Sequence, residues 1–196
     1  MHKAEKSALK LFAEPNPSTA TIYSYLGSTY RKSGDYSKAL KYEIKCIEIR
    51  EKFTDENHLS LSSAYTGIGL TYAKLGEHRS ALEYAIKAFE IRRKVLPQNH
   101  PYLATALKNI GSAYGNLGDF EKSLEYKLKA LDIRVEVLPD SHPYLAETYN
   151  DVGVSYSQLG NYEKALEYEL KALIIRERIL PENHFDLASS YNNVGT

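Results

Sequence analysis

The chain of 196 residues has one cysteine, Cys46. A single thiol makes no internal disulfide and supplies no thiolate metal cluster, so the sequence predicts a reducing compartment. Charge excess is missing too: 25 Lys and Arg balance 25 Asp and Glu. Nucleic-acid binding relies on many basic contacts to phosphate, and acidic membrane surfaces attract polybasic stretches. A balanced chain has neither means. No apolar run approaches the ~18 residues of a membrane-spanning helix. The opening segment MHKAEKSALKLFAEP lacks the apolar core of a secretory signal. Sustained strand alternation bounded by turn signals is also lacking. These absences predict a soluble, cytoplasmic protein, with no nucleic-acid and no membrane partner.

What the sequence does have is a period. Gly34, Gly76, Gly118 and Gly160 recur at steps of 42 residues. So do Gly27, Gly69, Gly111, Gly153 and Gly195; Tyr30, Tyr72, Tyr114 and Tyr156; Tyr42, Tyr84, Tyr126 and Tyr168; and His58, His100, His142 and His184. Aligning 102–143 with 144–185 gives 21 identities in 42 positions, far above coincidence. Such a period decides the architecture. It predicts repeats at 18–59, 60–101, 102–143 and 144–185, with 186–196 beginning a fifth. Residues 1–17 read as the end of a preceding helix, about Ala4 to Phe12, and a linker. A chain without a polar capping helix at either end predicts an excerpt from a longer array. Uncapped apolar ends also open a route to head-to-tail self-association, and hence to a scaffold role.

Each repeat reads as two helices. In the third, His100-Pro101 opens the first helix, because proline suits a position whose N–H is unpaired anyway. Leu103, Leu107, Ile110 and Tyr114 follow the spacing of an amphipathic helix. Gly118 supplies a left-handed cap, and Asp119 the next N-cap. Leu124, Leu128, Leu131 and Val135 carry the second apolar stripe, and Pro139 stops it after Leu138. One helix pair cannot bury its stripe alone, so stacked pairs share a continuous core. Small residues, Gly111 in the first helix and Ala130 in the second, are expected to let the helices cross closely.

These residues resemble the tetratricopeptide repeat. Repeat two carries its pattern as Ile68, Gly69, Tyr72, Leu75, Gly76, Ala81, Leu82, Glu83, Tyr84, Lys87 and Ala88. The common period of that family is ~34 residues, and the longer repeat here, with LPxNHPxLA between helix pairs, looks like the kinesin light chain type. At 3.6 residues per turn the extra length adds about one turn to each helix. The resemblance implies an all-α, right-handed solenoid superhelix. It implies an adaptor with no enzymatic activity and no cofactor, which binds a protein or peptide partner in the concave groove lined by the first helices. Carried over residue by residue, the groove positions are Thr21, Ser24, Ser28 and Lys32; Ser63, Thr66, Leu70 and Lys74; Thr105, Lys108, Ser112 and Asn116; Glu147, Asn150, Val154 and Gln158; and Ser189 and Asn192. Family members that serve chaperones grip a terminal carboxylate with Lys and Asn. Here Lys108 is accompanied by Ser112, and Asp151 stands where an Asn is needed, so a carboxylate would meet a negative charge. Lys32, Lys74 and Lys108 lean positive, but Glu147 does not. Hydrogen bonding by Ser, Thr and Asn is therefore expected to matter more than charge.

Other features have plain readings. Equivalent histidines lie two helix layers apart, at ~8–10 Å per layer, too far to share a metal ion; a loop or capping role suits them. Cys46 replaces the Ala found at 88, 130 and 172, and reads as a small buried hydrophobe. The glycines form no phosphate-binding pattern. The tyrosines form a core with their hydroxyls at its edge. Lys41, Glu83, Glu125 and Glu167 read as a solvated face. Ile44, Ile86, Leu128 and Leu170 mark an aliphatic row on the second helix. A slightly rotated helix would bury this row; otherwise it is an exposed stripe for a partner.

Overall fold

A computed structural model describes residues 15–55 and 58–195. The expected end of a preceding helix, Ala4 to Phe12, lies outside the described residues. Within them the chain forms nine helices: α1 Pro17–Lys32, α2 Tyr36–Phe53, α3 Leu59–Lys74, α4 His78–Val95, α5 Pro101–Asn116, α6 Phe120–Val137, α7 Pro143–Gln158, α8 Tyr162–Ile179 and α9 Phe185–Val194. First helices have 16 residues and second helices 18, apart from the ten-residue α9. Two compact units divide between Val95 and Leu96.

The caps explain the boundaries. The inter-repeat histidines do act as caps. The Nδ1 atoms of His58, His100, His142 and His184 each accept from the backbone N–H two residues on, at 3.1 Å. That satisfies one of the orphan donors of a helix start. Asn16 does the same for α1, accepting from Ser18 and Thr19. Between the helices of a pair the glycines adopt the left-handed region, with Gly118 at φ 84°. There the Asp119 amide bonds the Tyr114 carbonyl and the Gly118 amide bonds that of Gly115, both at 3.0 Å. This is a Schellman closure. Asp119 then accepts from Lys122 N–H, so one residue closes α5 and opens α6.

In the first unit, Ala20, Cys46, Ile47, Leu61, Ile68 and Ile91 form the core, with Tyr23, Tyr65, Tyr72 and Tyr84 packed against it. Cys46 is buried, and that burial, its largest influence, pushes its thiol up. In the second unit Leu131, Leu145, Val152 and Ile175 form the core, with Tyr149, Tyr156 and Tyr168 against them. The tyrosines stack in pairs across each helix pair: Tyr30 on Tyr42, Tyr72 on Tyr84, Tyr114 on Tyr126 and Tyr156 on Tyr168, with centroids 5.5–5.7 Å apart. Offset aromatic pairs at this separation add to plain burial.

The close crossing expected at Gly111 is made against Ser123 and Lys127 of α6. A Cβ at Gly111 would meet Lys127 Cγ at 2.9 Å and the Ser123 carbonyl at 3.0 Å. The glycine therefore admits the residue one turn before Ala130. Gly27 and Gly153 admit Glu43 and Glu169 in the same way.

Candidate functional site

The first helices present the residues that the sequence places on a binding face. In the first unit Thr21, Lys32, Ser63, Leu70 and Lys74 are exposed, and Ser24, Ser28 and Thr66 are half-buried. In the second, Asn116, Gln158 and Asn192 are exposed, and Thr105, Lys108, Ser112, Asn150, Val154 and Ser189 are half-buried.

Several hydroxyls already donate within their own helix. Thr21 donates to the Pro17 carbonyl, Ser28 to Tyr25, Ser63 to Leu59, Thr66 to Ser62 and Thr105 to Pro101. A hydroxyl has one donor and two lone pairs. These side chains therefore keep acceptor lone pairs, of which that of Thr66 already serves Arg92, a refinement of the general hydrogen-bonding face read from the sequence.

Two expected contact residues are engaged internally. Lys108 Nζ lies 2.6 Å from Glu147 Oε1, so its charge is compensated rather than presented. Asn150 Oδ1 accepts from Arg176 and from Asn193. Val154 and Gln158 line a cleft of about 600 Å³ shared with Tyr162 and Leu166 of α8 and Asn193 and Val194 of α9.

Beneath Lys108 lies a cluster of charges. Lys127 is 6% exposed and donates to Ser155 Oγ at 2.8 Å. Burial pushes its ammonium down, against the favourable charge of Asp151. Asp151 is pushed up by burial, against Lys108, Lys127 and Arg134. Burial also acts upward on Glu147, but the hydrogen bond and charge of Lys108, with the charge of Arg134, outweigh it and hold that carboxyl down. Opposite charges withdrawn from water must be paired, and Glu147 meets Lys108 at 2.6 Å and Arg134 at 3.3 Å.

A row of arginines in the same register was missed in the sequence. Arg50, Arg92, Arg134 and Arg176 recur at the 42-residue step, so the signal was present. Arg50 donates to the Ser60 carbonyl, Arg134 to the Tyr144 carbonyl and Thr148, and Arg176 to Ser190. Each ties a second helix to the first helix that follows. Arg92 bonds Ser62 and Thr66 of the preceding first helix.

The other face corrects one expectation. Burial of the aliphatic row was the plainer reading, yet Ile44, Ile86 and Leu170 are 38–40% exposed, and only Leu128 packs against a core. Glu83, Glu125 and Glu167 are solvated and pair with Lys87, Lys129 and Lys171 one turn on. Among the described residues no helix is long and apolar enough to cross a membrane.

The sequence profile of the tetratricopeptide repeat matches residues 18–94 and 102–178. No curated protein matches the chain. Solved structures do. One is a putative kinesin light chain with nearly identical TPR-like repeats from Podosopora anserina, at 19% identity and a TM-score of 0.79, covering 92% of this chain and 86% of that one. Another is BtubC (BKLC) from P. vanneervenii, at 23% identity and a TM-score of 0.80, covering 97% and 77%. A third is the apo form of RapI, at 20% and 0.77, covering 90% and 62%. At these identities the likeness is one of fold: an all-α solenoid of helix pairs.

Proposed function

This chain belongs to the tetratricopeptide repeat family, and from that premise we propose that it is a protein-interaction module. It receives a peptide segment of a partner along the face of its first helices. The observation that carries the reading is the row of half-buried and exposed Ser, Thr and Asn side chains on that face. Those of Thr21, Ser28, Ser63 and Thr105 donate inward and leave lone pairs outward. Such a surface suits the N–H donors of an extended or helical segment. It needs no strong charge on the partner, because Lys108 is already paired with Glu147.

The test is affinity capture with the full chain and two double variants, each first shown to be folded by circular dichroism. Ser63→Arg/Asn116→Arg puts bulk on the first-helix face. Ile86→Asp/Leu170→Asp charges the exposed aliphatic row. A partner lost with the first variant and kept with the second supports the reading. The reverse pattern moves the interaction to the second helices, and recovery of this chain alone favours self-association.

A further inference from the structure

One register along the repeats places a long charged side chain beneath the first-helix face in three of the four repeats. It holds Glu43, Ala85, Lys127 and Glu169. In the first unit the residue that faces Glu43 is Gly67 of the following first helix; in the second unit the same 42-residue step places Asp151 after Lys127 and Asn193 after Glu169. In the second unit the buried charge of this register at Lys127 is satisfied, since it donates to Ser155 Oγ at 2.8 Å and the opposite charge of Asp151 acts on it.

In the first unit it is not. Glu43 is 5% exposed. Across from it stands Gly67, whose missing Cβ would lie 3.5 Å from Oε1. Where a side chain from that register would project, there is a cavity of about 90 Å³ lined by Ser24, Ser28, Arg31, Glu43, Ser63 and Gly67. Arg31 Nε approaches Glu43 Oε1 at 3.5 Å. Yet Arg31 Nε and Glu43 Oε2 are both buried without a hydrogen-bond partner. A buried donor and a buried acceptor, each unmatched, lie in one small hole. Leaving such groups unsatisfied is unfavourable.

We propose that this cavity is a subsite for an uncharged carboxamide, the Asn or Gln side chain of a peptide bound along the first-helix face. Its NH₂ donates to Glu43 Oε2 and its carbonyl accepts from Arg31 Nε–H. An ammonium would satisfy Glu43 but leave the Arg31 donor unmatched beside a second positive charge. A carboxylate would do the reverse. The ion pair is already neutral, so a neutral group carrying one donor and one acceptor is its complement. The volume admits a head group of a few heavy atoms, since a water takes about 30 Å³ in the liquid. The inference rests on the peptide-binding reading for the origin of the amide, but its test needs no partner.

Propionamide, propylammonium and propionate are titrated into the ¹⁵N-labelled full chain, followed by NMR at the Gly67 and Ser63 amides and at Arg31 Nε–H. The expected result is a saturable shift with propionamide alone, lost in Gly67→Asn. Saturation by propylammonium or propionate instead overturns the proposal. The second measurement is thermal melting of Gly67→Asn against Gly67→Ala. The Asn variant carries a tethered carboxamide into the cavity, and Asn is the residue that the same register holds at positions 109 and 193. Alanine is the better helix former, so propensity alone places Gly67→Asn below Gly67→Ala. The proposal expects it above, by about 2 °C or more. If Gly67→Asn melts at or below Gly67→Ala, the cavity holds water only and the proposal falls, whatever the titrations show. Partner capture can still follow the first-helix variants in that case, so failure of the subsite and failure of the peptide-binding reading are separate outcomes.

Discussion

At the scale of the residue, the position one turn before the small repeat residues Cys46 and Ala130 decides most of the unusual chemistry. Gly27 and Gly111 let the stems of Glu43 and Lys127 pass under the first helix, so charged groups end up buried. Burial, the largest influence on Glu43, pushes its carboxyl up, against the neighbouring Thr71 hydroxyl and the charge of Arg31. A carboxyl raised on folding binds more protons in the folded state than in the unfolded one, between the unfolded value of about 4.3 and its folded value. Its contribution to stability is therefore greatest below the unfolded value and declines as pH rises towards the folded one. Glu43→Gln removes that loss. The melting temperature of the variant relative to the wild type is expected to rise between pH 4 and pH 7, within about that window. Paired thermal scans across that range check it, and a constant difference would show that Arg31 fully offsets the burial.

At the scale of the element, helix length follows from punctuation. Each first helix after α1 starts at a histidine cap, and each helix pair turns at a glycine held at positive φ. His100→Ala removes the acceptor that Tyr102 N–H uses. Loss of an N-cap costs about 0.5–2 kcal/mol, and that loss is expected in urea unfolding. His100→Asp supplies another good cap and is expected to stay within about 0.5 kcal/mol of the wild type. If both variants lose equally, the histidine matters through its ring packing on Tyr102, at 5.0 Å, rather than through its acceptor.

At the scale of the whole molecule, the formal charge is zero and the exposed charges pair locally, as in Lys87 with Glu83 and Lys171 with Glu167. Long-range steering of a partner is weak on such a surface. Partner affinity is expected to fall by less than about threefold between about 0.05 M and about 0.3 M salt, read by fluorescence anisotropy. A drop of tenfold or more would mean that exposed lysines such as Lys32 and Lys74 carry the interaction.

Much was legible in the chain itself. The 42-residue step, the glycine and proline punctuation and the amphipathic spacing determine helices, turns and family, because each acts through local backbone chemistry and repeats four times. The capping histidines and the buried Cys46 belong to the same layer of information. The fate of individual side chains belonged to the tertiary structure. Lys108 read as a free positive charge until Glu147, 39 residues on, was placed beside it. The aliphatic row admitted both burial and exposure until Ile44, Ile86 and Leu170 stood half-exposed. Glu43 and Lys127 carried no sign of burial, since a charged residue on an amphipathic helix is ordinarily solvated. Only the packing of one helix across another's glycine takes them from water. The same packing leaves Lys127 bonded to Ser155 and Glu43 facing the open space at Gly67.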